Sequence, residues 1–159
     1  MVSPNQEYGR RENKILGFVI HMTEGSFQSA IDWCCNPKSQ VSYHVIIDRN
    51  GDDITLVMPE NTAWHAGLRN NSAEYTKFLG LNPNLTTIGI ALAGISEHGP
   101  SIDQITKCAK LINTLALYYD IALDKNTIIP HHDIRSDKIC PGVHTSIGAI
   151  LYLSLLPQA

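Results

Sequence analysis

Two histidine positions and one cysteine are the residues of this sequence whose types and spacing best suit metal chemistry. His21 lies near the end of an apolar stretch. His131 and His132 form a pair much farther along the chain, and Cys140 comes nine residues after the first of them. Imidazole nitrogens and a thiolate are ligands that suit Zn²⁺, and three protein ligands leave a fourth tetrahedral position for water. This donor set is typical of a catalytic zinc site.

The residue types alone leave other interpretations open. Either histidine of the pair can serve as the ligand. A histidine at the end of a strand is commonly a hydrogen-bonded polar residue, and Cys140 taken alone is compatible with a small buried apolar residue. The spacing does not require His21 to meet a loop more than a hundred residues away.

The segments that must position these residues alternate between strand and helix patterns. Continuous apolar runs predict buried strands, and an Asn-Gly turn at residues 49–52 predicts a hairpin. Apolar residues at helical spacing after Ser101, a suitable N-cap, predict the longest helix. Strands are predicted at residues 15–23, 42–48, 54–58, 87–93 and 127–130, and helices at 26–33, 102–119 and 145–155.

This alternation predicts an α/β fold, with a mixed central sheet flanked by helices in a single domain. Residues 59–83 are predicted to form a long connection, and residues 131–142 an irregular loop. Both segments are of the kind that carries functional residues, because loops held by a rigid scaffold commonly supply them. The candidate ligands accordingly lie at the end of one strand and in one of these loops.

Composition excludes several classes of function. The chain has 159 residues, the size of one domain, and its net charge of −3 argues against binding nucleic acid through bulk charge. No apolar run reaches the roughly 18 residues of a membrane span. The polar start of the sequence lacks the pattern of a signal peptide, so we expect a protein that is cytoplasmic as synthesised. Four cysteines in a chain of this size do not indicate a disulfide framework.

Five blocks of residues carry a resemblance to a known family. They are FVIHMTEGS at 18–26, SYHVIIDRNG at 42–51, AWHAG at 63–67, TIGIALAG at 87–94, and PHHDI with KICPG between 130 and 142. In this order they resemble the type-2 family of N-acetylmuramoyl-L-alanine amidases. That family includes short phage endolysin amidases, AmpD-like amidases and peptidoglycan recognition proteins. The resemblance covers nearly the whole chain and implies one catalytic domain over residues 1–159.

The resemblance implies a metal site with one Zn²⁺ per chain. Its ligands would be His21, His131 and Cys140, with His131 preferred because the family pattern reads His-x-Asp/Glu-hydrophobic. His132 remains the competing ligand. Cys140 stands where the AmpD-like branch commonly has Asp, which brings the sequence nearer to the phage amidases and the catalytic recognition proteins.

The resemblance also implies roles for the residues around the metal. Lys138 matches the lysine that stabilises the developing oxyanion, and Tyr43 matches the tyrosine that positions or deprotonates the water. The AmpD-like branch uses a glutamate for that task, and Ala91 stands at its position here. His65 and Trp64 resemble residues that line the cleft, where His65 is expected to bind substrate. Trp64 is expected to pack, with binding of the glycan or peptide of the substrate as its alternative role.

The expected function is zinc-dependent hydrolysis of the amide bond between N-acetylmuramic acid and L-alanine in peptidoglycan. A bacteriolytic phage or prophage endolysin is the first expectation, acting on the cell wall after release from the cytoplasm. An AmpD-like amidase of soluble muropeptides, a peptidoglycan-binding module without turnover, and a domain with merely structural zinc are the alternatives. Peptidoglycan is the one partner expected; we expect no nucleic acid, no stable membrane insertion and no protein partner.

Overall fold

A computed structural model describes residues 1–67 and 82–157 of the chain. Most of the predicted connection at 59–83 therefore lies outside the described residues. The strands of the described part are β1 (Gln6–Glu7), β2 (Gly17–Met22), β3 (Val45–Ile47), β4 (Asp53–Thr55), β5 (Thr62–Ala63), β6 (Thr87–Leu92) and β7 (Ile128–Pro130). The helices are α1 (Phe27–Cys35), α2 (Pro83–Thr86), α3 (Ile102–Tyr119), α4 (His131–Ile134) and α5 (Ile147–Ser154).

Five strands form a mixed central sheet in the order β4-β3-β6-β2-β7. The hairpin of β3 and β4 is antiparallel, whereas β3, β6, β2 and β7 are parallel to one another. All residues of β2 and β6 are buried, as expected for strands that helices cover on both faces. The predicted α/β class with a mixed sheet is confirmed.

The two faces of the sheet pack against different helices and carry different residues of the site. Ile20 and Met22 of β2 pack in a large apolar cluster with residues of α3 and α5. His21 alternates with these two residues, so its side chain lies on the other face, where α1 packs. A small apolar cluster that includes Val19 and Ala66 lies on the same face as His21.

The longest helix begins as its sequence indicates. The side chain of Ser101 accepts a hydrogen bond from the backbone N–H of Gln104, and the Gln104 side chain accepts one from the backbone N–H of Ser101. This reciprocal pair satisfies two N–H groups that the first turn of a helix leaves unpaired. Gln104 also donates to the carbonyls of Ile47 and Ala93, which fastens the start of α3 to the sheet.

Two predictions about local structure were wrong. Residues 131–134 form the short helix α4 where an irregular loop was predicted, because the chain turns at once after β7 and Arg135 N–H bonds the carbonyl of His131. The strand predicted at 42–48 starts later, at Val45. The residues before it bond outside the ladder: Ser42 N–H donates to the carbonyl of Trp64 at 3.1 Å.

Candidate metal centre

Strand register brings the candidate ligands together. β2 and β7 are parallel, and Ile20 is paired with Pro130, so the next residues, His21 and His131, emerge side by side. Their ring centroids are 4.4 Å apart. Cys140 approaches the same strand end, where its Sγ accepts a hydrogen bond from Met22 N–H at 3.1 Å.

His21, His131 and Cys140 form a group whose possible ligand atoms all lie within 4.8 Å of one another. His21 is 1% exposed and His131 is 8% exposed. Among the residues that the structure describes, no further His, Cys, Asp or Glu joins this group. Its composition is that of a three-ligand site, which differs from the four-ligand composition of closed structural zinc sites.

The protonation states of the two histidines fit a metal site. Burial, followed by the neighbouring imidazole of His131, lowers the pKa of His21 well below its ordinary value. Burial also lowers the pKa of His131. A neutral imidazole keeps one nitrogen lone pair for a metal ion.

The cysteine thiol has the opposite tendency. Burial raises the pKa of Cys140 to about 11, although the hydrogen bond from Met22 N–H acts against this rise. Without a metal ion the sulfur therefore holds its proton at neutral pH. A bound Zn²⁺ would displace that proton, since the thiolate is the ligand form. Two neutral imidazoles and a displaceable thiol proton are chemically suited to Zn²⁺.

A cleft of about 370 Å³ opens beside this group. Five of the seven site residues predicted from the sequence line it: Tyr43, Trp64, His65, His131 and Lys138. The other residues of its lining are Gln40, Val41, Gly67, Asn84 and Arg135. A void of this size is in the range of small-molecule sites. The candidate metal centre therefore borders a cavity that can admit part of a substrate.

Tyr43 and Lys138 both line the cleft beside the candidate metal centre. The ring centroid of Tyr43 is 5.0 Å from that of His21. Burial raises the pKa of Tyr43, and the neighbouring Cys140 adds to this rise. Lys138 is exposed and follows α4 in the loop that leads to Cys140.

His132 and Ala91 lie near the site without supplying a group to it. His132 points elsewhere, with its Nε2 3.6 Å from a carboxylate oxygen of Asp133, so the structure brings His131 and not His132 to the candidate ligands. Ala91 is paired in register with His21 and is fully buried. The position beside His21 on β6 therefore carries a methyl group instead of a carboxylate.

Trp64 and His65 belong to one tightly held loop. Trp64 N–H donates to Ser42 Oγ at 2.8 Å. The N–H groups of His65 and Ala66 both donate to Asn84 Oδ1, at 3.1 and 2.8 Å. His65 lines the cleft but is only 5% exposed, and its Nδ1 is 3.1 Å from Nε2 of His21.

Three residues around His65 were not predicted from the sequence as residues of the site: Asn84, Thr87 and Gly89. Each acts through a contact with His65 or its loop. Thr87 and Gly89 lie within a strand and Asn84 in a one-turn helix, positions where their types indicate no chemistry. The AWHAG block was the nearest signal, and it points to the loop without revealing its supports.

Comparison with known proteins identifies the family to which this chain belongs. Residues 11–143 match the family described as N-acetylmuramoyl-L-alanine amidase. The chain belongs to this family. The resemblance inferred from the five sequence blocks is thereby confirmed, and the matched range contains every residue of the candidate metal centre.

Two curated amidases are similar in sequence. The chain is 34% identical over 114 residues to N-acetylmuramoyl-L-alanine amidase A of Achromobacter lyticus, covering 70% of this chain and 53% of that protein. It is 32% identical over 124 residues to the 1,6-anhydro-N-acetylmuramyl-L-alanine amidase AmpD of Haemophilus influenzae, covering 73% and 63%. The chain thus spans between half and two-thirds of the length of these relatives.

Solved structures of two amidases share the fold. A selenomethionine derivative of AmpD superposes with a TM-score of 0.74 at 24% identity, covering 96% of this chain and 92% of that chain. The endolysin N-acetylmuramoyl-L-alanine amidase LysCS from Clostridium intestinale superposes with a TM-score of 0.67 at 20% identity, covering 94% and 88%. At these identities the likeness establishes the fold.

Proposed function

We propose that this chain is a Zn²⁺-dependent amidase that hydrolyses the bond between N-acetylmuramic acid and L-alanine in peptidoglycan. The observation that carries the proposal is the convergence of His21, His131 and Cys140 beside a cleft, in a chain of the N-acetylmuramoyl-L-alanine amidase family. We assign these three residues as the ligands of one Zn²⁺ and the whole of residues 1–159 to one catalytic domain.

The residues around the metal divide the remaining tasks. When bound, Zn²⁺ would lower the pKa of a water molecule and polarise the scissile carbonyl. Lys138 supplies a positive charge at the cleft, where it stabilises the negative charge that develops on the carbonyl oxygen. Trp64 and His65 border the space for the muropeptide, and their direct contact with substrate stays a prediction.

Tyr43 is assigned an orienting role. Burial raises the pKa of its phenol, which is already a weak acid with an ordinary pKa near 10. A phenol that keeps its proton can donate a hydrogen bond but cannot accept the proton of the water. Tyr43 therefore holds the water or the carbonyl in place. Ala91 beside His21 offers no carboxylate as an alternative base.

Among amidases, we propose the endolysin type, which degrades intact cell walls. Cys140 as the third ligand and Ala91 at the glutamate position both depart from the AmpD-like pattern. The AmpD-like type is the second candidate, because the AmpD of Haemophilus influenzae is 32% identical to the chain. Within the described residues, no helix has the length and apolar character required to cross a bilayer.

The type of bond cleaved is tested on purified sacculi. We expect the zinc-loaded protein to release new amino termini of L-alanine, measured by dinitrophenylation, without new reducing sugars. New reducing ends would show a glycosidase and would overturn the proposal. The matched control is Cys140→Ala, which should release neither product.

The type of amidase is tested by comparing two substrates at equal concentration of cleavable bonds. An endolysin should act on intact sacculi at a rate comparable to, or above, its rate on soluble anhydro-muropeptides. Cleavage of anhydro-muropeptides alone would reject the endolysin type and establish the AmpD-like type.

A further inference from the structure

A continuous chain of hydrogen bonds leads away from His21 behind the candidate metal centre. His21 Nε2 is 3.1 Å from His65 Nδ1, and His65 Nε2 is 3.4 Å from Thr87 Oγ1. Thr87 Oγ1 then donates to the carbonyl of Pro83 at 2.6 Å. His21, His65 and Thr87 are all buried, so water does not compete for these bonds.

The carbonyl at the end of this chain fixes the direction of every bond in it. A carbonyl oxygen can only accept a hydrogen bond, so Thr87 donates its single hydroxyl hydrogen to the carbonyl oxygen of Pro83. Thr87 Oγ1 must then accept from Nε2–H of His65. An imidazolium buried without an anionic partner is costly, so the buried His65 ring is neutral and its Nδ1 carries a lone pair. That lone pair accepts from Nε2–H of His21.

The consequence for His21 is a defined tautomer. Its Nε2 holds the hydrogen, so its Nδ1 holds the lone pair. His131 reaches the same state by a separate bond, because its Nε2 lies 3.0 Å from the carbonyl oxygen of Ala66, which can only accept. Both imidazoles therefore have Nδ1 free for a metal ion.

One loop contacts both candidate metal ligands, His21 and His131. Ala66, which binds His131, directly follows His65, which binds His21, and Asn84 Oδ1 holds the N–H groups of both loop residues. The strand beneath leaves room for the His65 ring, because a Cβ at Gly89 would lie 2.4 Å from Cγ of His65. Only glycine at this position allows the ring to reach His21.

We propose that His65 is a positioning residue, which together with Thr87 fixes His21 in the Nε2–H tautomer and so presents its Nδ1 to the metal. The neighbouring carbonyl of Ala66 does the same for His131. Metal-bound histidines commonly donate their second N–H to a carboxylate, a carbonyl or water. Here a second histidine takes that place for His21. The inference rests on the proposed function for the identity of the metal.

The tautomers are tested without substrate or metal. Two-bond ¹H–¹⁵N correlation spectra of the metal-free, ¹⁵N-histidine-labelled protein distinguish Nδ1–H from Nε2–H imidazoles. We expect the Nε2–H pattern for His21, His65 and His131. An Nδ1–H pattern for His21 would overturn the proposal.

The role of His65 is tested by two variants that differ in one acceptor. His65→Leu removes the acceptor for His21, whereas His65→Asn keeps an amide oxygen close to the position of Nδ1. We expect His65→Leu to weaken Zn²⁺ affinity about 10- to 100-fold, measured by competition with a chelator, and His65→Asn to restore most of it. Wild-type affinity in a folded His65→Leu protein would overturn the proposal.

Thr87→Val covers the case in which His65→Leu does not fold. Valine has the shape of threonine but cannot accept from His65, so we expect loss of the single-tautomer spectrum of His65 and a smaller fall in Zn²⁺ affinity. An unchanged spectrum and affinity would contradict the proposal. Because these measurements need no substrate, absence of amidase activity with normal tautomers and zinc binding would overturn the proposed function alone.

Discussion

Cys140 is the ligand whose protonation controls metal binding at neutral pH. Its pKa is raised to about 11, whereas the pKa values of His21 and His131 are lowered. Near pH 7 the histidines are therefore already neutral, and the thiol proton is the one that a metal ion must displace. The donor set consequently predicts a single-proton exchange on binding.

We expect Zn²⁺ affinity to rise about tenfold for each pH unit between pH 6.5 and 8.5, since one proton leaves on binding throughout this range, which lies below the pKa of Cys140. Chelator competition at several pH values, corrected for the chelator's own titration, measures this slope. Cys140→Ala should bind weakly with a slope near zero, and Cys35→Ala, on α1, should keep the wild-type slope. A flat profile in the wild type would contradict the assignment of Cys140 as a ligand.

Lys138 is the second residue with a separable task. Its exposed position in the loop before Cys140 lets it act on substrate without supporting the fold. We expect Lys138→Ala to lower kcat about 10²- to 10³-fold with little change in KM, because the lost charge stabilises the transition state more than bound substrate. Zn²⁺ affinity should change little. Lys110→Ala, on the exposed side of α3, is the matched control, and an equal loss there would reject the specific role of Lys138.

The register of the strands brings the residues of the site together. Pairing of Ile20 with Pro130 and of His21 with Ala91 sets β7 and β6 on either side of the histidine. The third strand contact, between β3 and β6, brings Tyr43 to the same edge through the residues that precede β3. Side chains from distant parts of the sequence thereby face one cleft.

Gly89 is the residue of β6 whose lack of a side chain leaves room for the His65 ring. We expect Gly89→Ala to weaken Zn²⁺ affinity about tenfold or more, because the added Cβ would lie 2.4 Å from Cγ of His65 and must displace the ring. Isothermal titration of the metal-free variant measures the loss. Gly148→Ala in α5 meets no atom within 4 Å and should leave affinity unchanged while stabilising the helix by up to about 1 kcal/mol. Normal zinc binding by Gly89→Ala would show that the ring has another place to go.

The elements could be predicted because their signals are local. Apolar runs located β2 and β6, and Ser101 with the helical spacing after it located α3. Register is not local, since it depends on which distant strands pair, so residue types alone left the meeting of His21 with residue 131 open. The family resemblance supplied that pairing. It did not reveal the buried contact of His65 with His21, which depends on the absence of a side chain at Gly89.

Buried neutral histidines make the stability of the whole protein depend on pH. Burial lowers the pKa of His44 to about 3, and lowers the pKa values of His21 and His65 well below the ordinary value. In the unfolded chain these groups take up protons near pH 6.5, whereas in the folded protein they do not. The contribution of these neutral histidines to the free energy of unfolding is therefore present above about pH 6.5 and is lost as the pH falls below that value.

We expect the metal-free protein to lose unfolding free energy between pH 7.5 and 5.5, by roughly 1 kcal/mol for each buried histidine that stays neutral in the folded state. Urea unfolding in the presence of a chelator measures this difference. His98→Gln, which replaces an exposed histidine, should show the same loss as the wild type. Equal stability at the two pH values would mean that the buried imidazoles are charged or accessible in the folded state.

We infer that hydrolysis of the muramoyl–alanine bond depends on one Zn²⁺ at His21, His131 and Cys140. Titration of metal-free protein with Zn²⁺, with release of L-alanine amino termini from sacculi as the readout, tests this dependence. We expect the rate to rise linearly and level off at one equivalent per chain, and Cys140→Ala to stay inactive throughout. Full activity of the metal-free protein in excess chelator would contradict the claim.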